Sequence, residues 1–213
     1  RIRKNHFGLR LVVPRWTPRI KELFQRMGVS IVGSGFYQIT MIVGTLVASF
    51  QSGAVSWLYY SDRIVQLPFA MIGLAVGTVL MSSISNALAD KNMRSVYVQQ
   101  NSSMRRSMML ILPCVVGLFV LAEPIIRTLF QYGAWTSDST VAVANAIMIQ
   151  VLVLPAMLVS QIYSKTLYAS QDVKTPVKTS MISLAVAAVL YLSLFPMFGY
   201  LAVPIGIVIS GYL

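Results

Sequence analysis

The chain has 213 residues, of which 56% are hydrophobic and 11% charged, with a mean hydropathy of +0.72 and a formal net charge of +11. A soluble domain carries about 25% charged residues, so this composition excludes an ordinary water-soluble fold. The single cysteine, Cys114, rules out an intrachain disulfide, and the single histidine, His6, rules out a multi-histidine metal site or a His-based triad within the chain.

Residues 1–27 form a basic leader that holds eight of the 17 Lys and Arg residues. Within it, TPRIKELFQRMG places Ile20, Leu23, Phe24 and Met27 at helical spacing, with Arg19, Lys21 and Arg26 largely on other faces. That pattern predicts an amphipathic helix on anionic lipid, which is equally a positive anchor on the cytosolic side. No secretory signal fits this start. The chain begins without Met and ends inside an apolar run, YLAVPIGIVISGYL, which suggests an internal segment of a longer protein.

From residue 28 onward the charges are spaced for a membrane. Charge-free windows run over Met27–Ser61, Ile64–Ala89, Ser107–Ala122, Ser139–Ser164 and Thr179–Leu213, and about 20 apolar residues suffice for a helix to cross. Divided at polar and Gly/Pro breaks, residues 28–213 predict an all-α polytopic bundle of about six transmembrane helices, near 29–50, 54–88, 107–122, 141–164, 179–197 and 200–213. The second is read as one long helix with Pro68 as a kink. The loop EPIIRTLFQYGAWTSDST reads as an interfacial helix followed by a turn at Gly133.

Lys and Arg fall fifteen to one on alternate sides: eight in the leader, four at 89–106, three at 165–178, against Arg127 alone, with Arg63 inside a span. The excess marks the cytosolic side and accounts for the charge without any nucleic acid partner.

The second span carries the most informative residues. On a helix Ser56, Tyr59, Arg63 and Gln66 share one polar stripe, with Tyr60 and Asp62 at its flanks. An ionised Arg in a span costs a few kcal/mol and by default marks a functional cavity. Its planar fork suits phosphate oxygens. The plainer alternative is that Arg63 snorkels to the outer interface or pairs with Asp62. Gly73 and Gly77 form a GxxxG that serves close packing or a moving seam. Pro68, Pro113, Pro155, Pro196 and Pro204 are expected to kink or end helices. The connection YASQDVKTPVKTS reads as a charged cytoplasmic turn with Pro176 opening a helix. No GxSxG, HExxH, P-loop or CxxC is present and no two carboxylates lie close in sequence, so no enzyme, metal or cofactor chemistry is expected.

SGAVSWLYYSDRIVQLPFAMIGLAVGTVL, LPCVVGLFVLAEPIIRTLFQYGAWT, SKTLYASQDVKTPVK and PRIKELFQRMG together resemble the MurJ/MviN family of bacterial lipid II flippases. The resemblance covers nearly the whole chain and implies the second lobe of a two-lobed transporter, about helices seven to twelve of fourteen. It implies that Asp62 and Arg63 are part of a central cavity for a lipid-linked pyrophosphate, and the stripe and its flanks add Tyr59, Tyr60 and Gln66 as candidate substrate-binding residues. It further implies a multi-pass protein of the bacterial cytoplasmic membrane whose partners are the peptidoglycan precursor, membrane lipids and the cell-wall synthesis machinery. The chain departs from the family at Ser82, where Pro is usual, at Ser170, where Arg is common, and at Gly44, where Asp or Asn is frequent. Two rival readings are another exporter of the same superfamily, for drugs or polysaccharide-linked lipids, and a non-transporting scaffold of wall assembly.

Overall fold

A computed structural model describes residues 38–170 and 172–212. The leader expected over 1–27 lies outside these residues. The described chain is helical throughout, without a strand: α1 (Gln38–Ala48), α2 (Ala54–Ala89), α3 (Met93–Phe130), α4 (Ser137–Gln150), α5 (Leu154–Ala169), α6 (Lys174–Phe198) and α7 (Ala202–Gly211), with 3-10 turns at Val151–Val153 and Gly199–Leu201.

Local chemistry sets the helix ends. α2 starts after Gly53, whose φ of 82° is left-handed and natural to glycine. Asn92 caps α3 by accepting from the Ser95 amide at 3.0 Å, and Thr136 caps α4 by accepting from the Ser139 amide at 3.2 Å. Pro68 lies inside α2 and Pro196 inside α6, while Pro155 opens α5 after its 3-10 turn. α6 stops at Gly199, φ 57°, and α7 folds back along it, so that Gly206 faces the Tyr191 ring.

One expectation is corrected here and another is met in part. The apolar run 107–122 is the middle of a helix of 38 residues, which also absorbs the segment read as a separate interfacial helix, Glu123 to Phe130; the turn at Gly133 stands, with φ 60°. In this polar C-terminal part of the helix Arg127 and Glu123, one turn apart, pair at 2.6 Å, which adds modest support. The expected all-helical membrane bundle stands, and of its about six spans four helical stretches among the described residues are long and apolar enough to cross a membrane: Ala54–Ala89, Met93–Phe130, Ser137–Ala169 and Lys174–Gly211. The last includes both limbs of the α6/α7 hairpin, because its turn keeps helical hydrogen bonding.

Packing divides the helices into two groups. α2 to α5 share a core around Ile64, Ile111, Ile126, Ile147, Leu154 and Leu158. α1, α6 and α7 close around Tyr191, Val47, Ala187 and Val203, with Ala54 of α2 at the edge. α6 touches α5 only sparingly, which leaves a space between the groups. Large apolar side chains such as Met71, Leu74 and Met197 cover the outside, as a lipid-facing bundle requires.

Candidate functional site

The expected polar stripe on α2 splits in two. Asp62 and Gln66 are four residues apart and lie about 40° apart around the helix, whereas Asp62 and Arg63 diverge by about 100°. Gln66 therefore turns to Asp62 and donates its side-chain amide to Oδ2. Gln150, from the end of α4, donates through Nε2 to Asp62 Oδ1 at 3.0 Å. Its own Oε1 accepts from the Ser61 hydroxyl at 3.1 Å. Ser61 is fully buried and Gln150 is 5% exposed, so this network ties α2 to α4 inside the bundle.

Arg63 takes the other side. It is exposed, and its guanidinium carbon sits 4.9 Å from the centroid of the Tyr59 ring, a cation–π arrangement. It makes no ion pair with a carboxylate within 4.0 Å among the described residues. Tyr59, itself exposed, packs edge-on against Tyr60 at 5.7 Å. Tyr60 points away from Arg63's surface into an aromatic cluster, 4.9 Å from both Phe130 and Trp135. Trp135 is fixed by donating to Thr140 Oγ1 at 3.0 Å, and Trp57 by donating to Ser139 Oγ at 3.2 Å. The N-terminal end of α2 is thus packed against the α3–α4 turn.

The space between the helix groups is a cavity of about 470 Å³. Asp62 and Gln66 line it; Arg63, Tyr59 and Tyr60 do not. The rest of its polar wall comes from Thr40 of α1, Gln150 of α4, Ser160, Gln161, Tyr163 and Ser164 of α5, Thr179, Ser180 and Ser183 of α6, and Ser210 of α7. Sequence reading missed these residues. Two glutamines inside otherwise apolar runs, and Thr179, Ser180 and Ser183 at one-turn spacing, were the available signal. The GxxxG is occupied by side chains of α5: a Cβ on Gly73 would lie 2.6 Å from Gln161 Oε1, and one on Gly77 would lie 3.6 Å from Lys165 Cε. Gly44 packs against Val203 and Tyr191, in a seam too tight for a carboxylate. No group of three or more His, Cys, Asp or Glu residues placed to hold a metal occurs among the described residues.

At the other end, in the α5–α6 connection, Asp172 caps α6. Its Oδ1 accepts from the Lys174 and Thr175 amides at 3.0 and 3.2 Å, and its Oδ2 from the Thr175 hydroxyl at 2.6 Å. The Thr175 hydroxyl is the main reason its carboxyl is held below the usual carboxylate range.

A family model described as lipid II flippase MurJ matches residues 1–213. The probable lipid II flippase MurJ of Rhizobium meliloti (strain 1021) is 36% identical over 199 residues, 93% of this chain and 37% of the relative. That of Rhizobium tropici is 33% identical over 206 residues, 97% of this chain and 38% of the relative. Among solved structures, a lipid II flippase MurJ in an inward closed conformation superposes with a TM-score of 0.76 at 28% identity, covering 88% of this chain and 38% of that one. An outward-facing multidrug resistance MATE family transporter of the MOP superfamily gives 0.74 at 12% identity, covering 87% of this chain and 42% of that one, and shares the fold. The chain therefore spans less than two fifths of the curated relatives just named.

Proposed function

The chain belongs to the lipid II flippase MurJ family and is a multi-pass membrane protein, and from that premise we propose that it is one lobe of a transporter moving lipid II across the bacterial cytoplasmic membrane. The observation that carries this reading is Arg63: an exposed guanidinium on a membrane-crossing helix, propped on Tyr59 and without a carboxylate partner among the described residues. Bringing an anionic pyrophosphate into a bilayer unaided is prohibitive, and an arginine outside any salt bridge is the side chain whose paired donors suit it.

In this reading Arg63 and Tyr59 face the remainder of the transporter and contact the headgroup, while Tyr60, Asp62 and Gln66 hold them in place. The chain crosses six times, with α1 in the first crossing and α6 and α7 as separate limbs, and the basic leader and connections lie in the cytosol. Transport needs only alternating exposure, to the two sides, of the space between Arg63 and the remainder of the transporter, with no covalent step. Cell-wall synthesis enzymes are the partners that would consume the delivered precursor.

The test is complementation. The full-length protein should restore growth and cell shape to bacteria depleted of their own lipid II flippase. Lysis despite normal membrane abundance would favour an exporter of other cargo or a scaffold.

A further inference from the structure

Asp62 and Arg63 are neighbours of opposite charge in a membrane-crossing helix, a setting in which they attract strongly, yet they are held apart. We propose that Gln150 is a positioning residue for Arg63: by keeping the Asp62 carboxylate on the inner side of α2, it prevents that carboxylate from neutralising the guanidinium. The inference rests on the headgroup-binding reading of Arg63 and identifies what leaves its charge available.

The geometry supports a restraint more than a passive contact. The Ser61 hydroxyl lies 3.1 Å from Gln150 Oε1, which turns Nε2 toward Asp62. The backbone at Gln150 is equally fixed. It immediately precedes the 3-10 turn Val151–Val153, where Val151 and Leu154 are fully buried and the Tyr212 hydroxyl donates to the Leu152 carbonyl at 2.8 Å. Gln66 holds the second carboxylate oxygen from the same helix and would move with α2. Gln150 is the anchor from outside it. Removing its amide frees Oδ1 for the adjacent Arg63, which makes no ion pair within 4.0 Å among the described residues.

Lipid II binding to the full-length protein in nanodiscs tests this. Gln150→Met, close in shape but without the donor, should weaken binding about tenfold, the size of one charge-assisted hydrogen bond redirected. Adding Asp62→Asn should restore binding to within about twofold, because a neutral amide cannot neutralise Arg63. A purely structural Gln150 predicts no such rescue. Phenylglyoxal modification of Arg63, followed by mass spectrometry without any lipid II, reads the same pairing independently: it should slow in Gln150→Met and recover in the double variant. If Gln150→Met does not fold, Gln150→Glu is read by the same modification rate, with the same expectation. An unchanged Arg63 rate in the single variant, or no recovery in the double, overturns the proposal. Wild-type protein that ignores lipid II would sink the functional reading instead, while the modification series still decides whether Gln150 governs the pair.

Discussion

A charged side chain in this lobe is defined by what holds it. Asp62 is bound by two amides and faces the internal cavity, whereas Arg63, one residue on, lies over Tyr59 at the surface. Asp172 is held by the start of α6 and serves as its cap, which explains a charge at this turn without invoking substrate. Its depressed carboxyl makes a signed prediction. The cap is fully formed above the unfolded carboxyl value and is lost as pH falls through the lower folded one, so amide protection at Thr175 should decline only below about pH 4. Hydrogen exchange measured from pH 7 to 3 checks this, and Asp172→Asn should abolish the pH dependence. Lys174→Ala in the full-length protein should cost at most a small part of activity, measured by complementation, because Lys174 is exposed and only its backbone amide serves the cap.

Helix character was readable because charge-free runs and helical spacing are local properties of sequence. What was not readable came from contacts between helices. The Ser56–Tyr59–Arg63–Gln66 stripe is correct as helical geometry, but Gln66 leaves it because Gln150, 84 residues away, draws Asp62 inward. The cavity wall is assembled from six helices, α1, α2 and α4 to α7, and had no linear signature. The long α3 was underestimated because Arg94, Arg105 and Arg106 look like a loop in composition, yet all lie on one continuous helix. Packing also makes a prediction at this scale. A Cβ on Gly206 would lie 2.6 Å from two ring carbons of the fully buried Tyr191, so Gly206→Ala should destabilise the α6/α7 hairpin by about 1–3 kcal/mol. Gly117, where an added Cβ would meet nothing within 4 Å, should accept Ala without loss. Thermal unfolding of the two variants in detergent separates them.

Across the whole lobe, α2 has 36 residues and is about 54 Å long, more than enough to carry its ends to opposite sides of a hydrocarbon core about 30 Å thick. Single cysteines at the exposed Ser52 and Asp90, after replacing Cys114, should therefore label from opposite faces of intact cells, with Asp90→Cys protected from an external impermeant reagent. Labelling of both from outside would invert the account of the basic connections. The family match covers the chain end to end, while the chain covers less than two fifths of the relatives named above, so the proposed transport is a property to be tested on the full-length protein. The proposed contribution of this chain is an α2 that presents Arg63 on Tyr59. The most direct test is translocation of fluorescent lipid II by the full-length protein in proteoliposomes. Arg63→Ala should abolish it at unchanged protein content, and Arg63→Lys should recover only part, since an ammonium lacks the paired donors of the guanidinium fork. Translocation by Arg63→Ala at the wild-type rate would contradict the account.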